Sequence, residues 1–299
     1  MNIHTSARPQ VQFRRASRAV PRGLLAEFMT QANPAVFLPV LWHHRYLIRQ
    51  LTWREVTGRY RSSALGFLWS LVTPLVMLSL YTFVFGVVLK ARWPGTRSGN
   101  LADFGLMLFA GLTAFGLFSE CVNRAPSLIA SSPSYVKKVV FPLEVLPVSV
   151  LGSALFHTAI SALILIVAQE LVSGLPVWTA VFLPMVLLPL ACLSLGVSWF
   201  LASLGVFLRD IGHTVTLAMQ VLFFMTPIFY SPEALPGRLR FIVRFNPLAP
   251  IVNNMRRVSV LGQAPRWEGL AFSMVVGLIV LCLGHAWFAK SKRAFADVI

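Results

Sequence analysis

The chain has 299 residues, 57% of them hydrophobic and 12% charged, with a mean hydropathy of +0.72. Water-soluble domains carry about 25% charged and about 45–50% apolar residues, so a soluble enzyme, a disordered tail and a secreted disulfide scaffold are excluded and a polytopic membrane protein remains. Lys and Arg outnumber Asp and Glu by 26 to 10, a formal net charge of +16, and these cations mostly flank apolar runs, so they read as topology and lipid contact rather than as a nucleic-acid surface.

Residues 1–38 form a basic arm. The first 26 hold five arginines and no acid, a composition shared with organellar transit peptides; a disordered cytosolic arm is the simpler reading. The first long apolar run begins near Leu65, too late for a signal peptide. In residues 41–62, Leu41, Leu47, Ile48, Leu51 and Val56 recur near helical spacing. Trp42, Arg45, Arg49, Trp53, Arg54, Arg59, Tyr60 and Arg61 stand among them. A basic, aromatic-rich amphipathic helix lies in the membrane interface, where rings and cationic heads are both satisfied.

Six largely uncharged runs are long enough to cross about 30 Å of hydrocarbon, which takes about 20 helical residues. They cover 65–89, 104–123, 145–169, 175–208, 211–232 and 269–289. Pro176, Pro184 and Pro189 predict a kinked or tilted fourth span. An even count puts both termini on one side. With the termini inside, 17 Lys/Arg fall on the inner side and 9 on the outer, which favours cytoplasmic termini.

Two connections carry helix-sized pieces. Residues 124–144 hold one between Pro126 and Pro142, with Tyr135, Lys137 and Lys138 as exposed candidates; an ordinary positive-inside loop explains the lysines but not the amphipathic character. Residues 233–268 hold two short pieces about Asn246-Pro247-Leu248-Ala249-Pro250. They read as half-helices dipping back into the outer leaflet, their arginines snorkelling to headgroups. A surface loop accounts poorly for Phe241, Ile242, Val243 and Phe245.

Catalytic and nucleotide-binding patterns are missing. There is no P-loop, no H-E-x-x-H, no G-x-S-x-G and no metal-ligand spacing. Cys121, Cys192 and Cys282 read as inert thiols in apolar runs, and His157, His213 and His285 as packed side chains. Glu120, Glu144, Glu170 and Asp210 fall near span ends, Glu120 within reach of Arg124 at i,i+4. No acid sits mid-membrane, where a proton relay would need one. A transport step in this chain would therefore draw its energy from another chain.

Five stretches are family-specific in combination: REVTGRYRSSALGFLWSLVTPL (54–75), YTFVFGVVLKARW (81–93), YVKKVVFPLEVLP (135–147), FLRDIGH (207–213) and NPLAPIV (246–252), with FADVI (295–299) at the end. From about Leu41 to Ile299 the chain resembles the ABC-2 type permeases of polysaccharide ABC exporters, and most closely those for O-antigen. The resemblance implies an all-α membrane protein of six spans with an interface helix over 41–62. It implies a coupling helix over about 127–140 and two re-entrant gate helices over about 235–260. Ser134, Tyr135, Val136, Lys137 and Lys138, with Arg209 and Asp210 as a smaller contact, would meet the ATPase. Phe241, Phe245, Asn246 and Pro247 would belong to the gate. A glycan path needs sliding aromatic contacts; its candidates are Trp69, Tyr81, Phe85, Phe223, Phe224, Phe229 and Tyr230.

The implied partners are a second copy, two ATP-binding subunits that hold ATP and Mg, membrane lipids and a lipid-linked polysaccharide. This chain itself would hold no cofactor and carry no catalytic residue. The implied place is the bacterial inner membrane. Two other readings compete: a permease for teichoic acid, capsule or a small hydrophobic drug, and a membrane-embedded glycosyl- or acyltransferase. The last would need catalytic acids or histidines around a cavity, and the end-located carboxylates argue against it.

Overall fold

The computed structural model describes residues 32–61, 63–90, 93, 101–136, 141–173, 178–231, 236–237 and 240–298. Among them there is no strand. Five helices are long and apolar enough to cross a membrane: Gly66–Val88, Ala102–Leu128, Val145–Val172, Trp178–Phe207 and Trp267–Ala294.

Helix α1 (Pro34–His43) starts with Asn33, whose side chain accepts from the Ala35 N–H at 2.9 Å, and with Pro34 in its first turn. It begins inside the stretch read as an arm. Phe37 is buried, its ring 5.7 Å from Trp199 and 4.5 Å from His285. A break at His44 leads into α2 (Arg45–Gly58), so the expected 41–62 helix is two helices and stops four residues early. Leu51 and Val56 are buried beneath α2 while Trp42, Tyr46 and Trp53 stay exposed, the asymmetry that an interfacial helix requires.

The first span is composite. A 3-10 turn (Gly66–Leu68) precedes α3 (Trp69–Tyr81), and a π-helical stretch (Thr82–Val88) follows it. The wider turn shows in the Leu89 N–H, which donates to the Val84 carbonyl five residues back at 2.9 Å. Little of this span is covered: Leu71, Leu75, Val76, Leu80, Phe83 and Val87 are all exposed.

Helix α4 (Leu101–Leu128) is the central post, with Leu106, Met107, Leu108 and Leu117 fully buried. One short helical turn, α5 (Pro133–Val136), connects it to α6 (Val145–Ser173). After a 3-10 turn (Trp178–Phe182) comes α7 (Leu183–Phe207), with Pro184 in its first turn and Pro189 inside it. Pro176 lies outside the described residues. Helix α11 (Trp267–Ser291) packs along α7 at backbone distance. A Cβ on Gly284 would stand 2.0 Å from the Gly196 carbonyl oxygen, so only glycine lets the two helices meet. A 3-10 turn (Lys292–Ala294) and α12 (Phe295–Val298) end the description. Lys292 pairs with Glu144 at 2.7 Å and the Trp199 indole donates to the Glu144 carbonyl at 3.1 Å, tying this end to the start of α6.

The expected 211–232 span differs from what is found. Helix α8 (Ile211–Met225) has 15 residues and rises about 22 Å, short of the hydrocarbon thickness. The cause is local: Thr226 precedes Pro227 and is extended at φ −85, ψ 135, because the proline ring disfavours a helical residue before it. Residues 226–231 run on without helix. Two short helices follow, α9 (Arg240–Phe245) and α10 (Leu248–Ser259). The expected 127–140 helix is also different: Ser127 and Leu128 end α4, and α5 is a single turn. Lys137 and Lys138 lie outside the described residues.

Candidate functional site

A cavity of about 580 Å³ opens between the end of α2 and helices α3, α4 and α6. Trp69, Met77 and Tyr81 line it from α3. Hydroxyls come from Ser70, Thr73, Thr113, Thr158 and Ser161, and Arg59, Tyr60, Glu120 and His157 complete the polar lining. Aromatic faces, hydroxyls and a planar ion pair around one apolar hollow can hold a polar, C–H-rich chain through many weak contacts. Among the described residues no group of His, Cys, Asp and Glu is placed to hold a metal ion.

Four contacts fix the charged end. Arg59 pairs with Glu120, and Arg124 pairs with Glu55. Arg124 also approaches Glu120 at 3.9 Å, the i,i+4 pair read from the sequence. The main partners of both groups, however, come from α2. Tyr60 Oη lies 3.3 Å from His157 Nδ1. Burial raises the Tyr60 pKa, opposed by Arg59, so the phenol stays a neutral hydroxyl at neutral pH. Further along α2, Arg54 donates to the Tyr135 hydroxyl at 2.6 Å, its guanidinium 5.7 Å from that ring.

The other sequence candidates separate into groups. Trp42 and Arg45 stack on each other at 5.3 Å on the outside of α1 and α2. Arg49 and Trp53 line a second hollow of about 640 Å³ together with Tyr46, Gln50 and Thr52, and Arg61 is exposed. Ser134 is exposed, Tyr135 half-buried against Phe141 (centroids 4.4 Å apart) and Val136 buried. Arg209 and Asp210 are exposed in the turn between α7 and α8.

Of the seven aromatics proposed for a glycan path, Trp69 and Tyr81 line the cavity. Phe85, Phe223 and Phe229 instead join a packed cluster with Phe104 and Phe115, at centroid distances of 5.2–6.1 Å. Phe224 stands at its edge and is exposed. Tyr230 donates to the carbonyls of Phe224 and Met225 at 3.2 and 3.3 Å, capping the end of α8.

Phe241 and Phe245 are exposed on α9, Asn246 is buried and Pro247 half-buried. Asn246 donates to Thr226 Oγ1 at 3.0 Å and accepts from the Leu248 N–H at 2.9 Å. The expectation that the arginines of this segment snorkel to headgroups fails for Arg256, which is 2% exposed. Its guanidinium donates to the carbonyls of Met107 (3.0 Å), Pro227 (2.7 Å) and Ile228 (2.6 Å) and lies 4.3 Å from the Trp93 ring. Sequence reading also gave no role to Glu55 or His157. Arg256 had a signal: it falls one turn after Val252, on the apolar face of α10.

Comparison with known proteins agrees with this architecture. The family model described as ABC-2 type transporter matches residues 46–259. The chain is 28% identical to the O-antigen export system permease protein RfbA of Myxococcus xanthus over 261 residues, 87% of this chain and 97% of that protein. It is 28% identical to the protein of the same name from Klebsiella pneumoniae over 255 residues, 85% of this chain and 95% of that one. To the polysialic acid transport protein KpsM of Escherichia coli it is 21% identical over 248 residues, 83% and 94% of the two chains. With five helices long and apolar enough to cross a membrane and a family match over most of its length, the chain belongs to the ABC-2 type transporter family, as a multi-pass membrane protein.

Proposed function

We propose that this chain is the permease half of an ATP-driven exporter that moves lipid-linked polysaccharide, O-antigen before capsule or teichoic acid, across a bacterial inner membrane. The observation that carries the reading is the near full-length likeness to polysaccharide export permeases. The aromatic- and hydroxyl-lined cavity at the end of the interface helix is in keeping with it. Two copies pair across the uncovered apolar face of α3 and α8, where Leu75, Val76, Leu217, Val221 and Phe224 are exposed. Two separate ATP-binding subunits hold ATP and Mg, and dock at α5 and at Arg209–Asp210. Both termini face the cytoplasm.

In this scheme α8 and residues 226–231 together make the fifth of six crossings. Non-helical backbone is tolerated at membrane depth only where protein groups satisfy it, and Arg256 satisfies Pro227 and Ile228. Helices α9 and α10 form the outer gate. The lipid-linked end docks beside α2, the first sugars meet Trp69 and Tyr81, and cycles of ATP binding advance the chain by shifting weak contacts. The test is deletion of this chain in its host, with lectin access separating inner-face from surface glycan. Full-length glycan retained inside and returned to the surface by the intact chain is the expected result. Normal surface glycan contradicts the reading, and loss of synthesis points to an enzyme instead.

A further inference from the structure

Helix α4 carries three glycines, Gly105, Gly111 and Gly116. Each costs helix stability relative to alanine, and two of them are explained by packing. A Cβ on Gly105 would stand 2.2 Å from Thr82 Oγ1, and one on Gly111 would stand 2.9 Å from Arg256 Nη2. Gly116 has no such neighbour: a Cβ there meets nothing within 4 Å. It is exposed, on a helix whose other residues from Asp103 to Val122 are buried or half-buried. The space it faces is the cavity, which Thr113, Gly116 and Glu120 line from successive turns of one face of α4.

We propose that Gly116 sets the bore of this site: the side-chain volume at position 116 decides how large a sugar ring can lie against α4. The inference rests on the proposed function, since it takes a glycan as the occupant. The neighbouring groups fit that ligand. Thr113 Oγ1 donates to the Phe109 carbonyl at 2.8 Å, and Ser70 Oγ donates to the Phe67 carbonyl at 2.7 Å. With their protons engaged, both oxygens offer lone pairs to the cavity, and the Glu120 carboxylate adds more acceptors. A sugar ring brings hydroxyl donors to these oxygens and a C–H face to Trp69. A hydrocarbon tail brings no donor. The bare Cα of Gly116 is the place on α4 where a ring can approach the helix without meeting a side chain. Gly116 therefore acts by size, while Thr113 and Glu120 supply the polar contacts on either side of it.

The test is a volume series at one position in the full chain. Gly116→Ala should keep export, read as surface glycan in the host, within about threefold, and Gly116→Leu should lower it by at least about tenfold. Thermal unfolding of the solubilised protein should not move down in either variant, because the added atoms enter open space. A second readout probes occupancy directly. With Cys121, Cys192 and Cys282 replaced by Ala, a small water-soluble thiol reagent should label Gly116→Cys in the purified exporter. Short oligosaccharides cut by mild acid from the host's surface glycan should slow that labelling by about twofold once they half-fill the site. They should leave the labelling of Ser131→Cys, exposed outside the cavity, unchanged. Export that ignores volume at 116, a fall in thermal stability that tracks the fall in export, or labelling that phosphatidylglycerol slows and the oligosaccharides do not would each overturn the proposal. Failure of the wild-type chain to export glycan would instead overturn the functional reading.

Discussion

Arg256 and Pro227 are joined by a 2.7 Å hydrogen bond that answers the break Pro227 causes. The proline ends α8 and leaves its own carbonyl and that of Ile228 without helical partners. The guanidinium fork, buried against Trp93, takes both and reaches Met107 on α4 as well. A lysine has no such planar fork. Arg256→Met should therefore destabilise the protein by about 3–5 kcal/mol and Arg256→Lys by somewhat less. Arg257, which is less buried and whose side chain donates only to the Ala264 carbonyl among described residues, should cost about 1 kcal/mol or less on the same change. Thermal unfolding of the detergent-solubilised protein separates these cases.

Arg59–Glu120 carries the second prediction. Glu120→Gln weakens the clamp that holds the end of α2 on α4 and should cost about 1 kcal/mol, because the pair is partly open to water. The effect on export should be larger than the effect on stability, since both partners line the cavity. The swapped pair Arg59→Glu with Glu120→Arg should recover part of the export that either single change loses. Arg124 limits the recovery, because it also faces position 120. Surface glycan per unit of membrane-inserted chain is the quantity to compare.

Gly284→Ala places a methyl group where the Gly196 carbonyl already stands. Either α7 and α11 separate along their length or the chain fails to fold. A loss of about 3 kcal/mol or more is expected, seen as a collapse in membrane-inserted protein. Gly212→Ala meets nothing within 4 Å and should leave the level unchanged.

The aromatic residues should divide by location. Trp69→Ala and Tyr81→Ala alter cavity-lining side chains on the thinly covered first span. They should lower export several-fold with little change in protein level. Phe223→Ala and Phe229→Ala open a hole in a packed ring cluster and should lower stability by about 3 kcal/mol. Export and thermal stability, measured on the same four variants, give opposite orders if this division holds.

The sequence made the helical membrane class and most span positions legible, because each rests on local composition and periodicity. Val145–Val172 and Trp267–Ala294 fall close to their expected runs. What escaped is non-local. Hydropathy continues through Thr226 and Pro227, so it extended α8 seven residues past its end. Charge counting treats every arginine as water-facing and could not see three carbonyls converging on Arg256. Lone histidines are usually packed, and only the meeting of α2 with α6 gives His157 its Tyr60 partner. The i,i+4 rule found Glu120–Arg124 but not the stronger cross-helix pairs, which need the fold to bring α2 over α4.

The most direct measurement follows lipid-linked glycan in host cells that lack this chain, with a lectin applied before and after the membrane is opened. The account predicts full-length glycan reachable only after opening, and its return to the surface when the chain is restored. Glycan on the surface at normal levels in the deletion strain would contradict it.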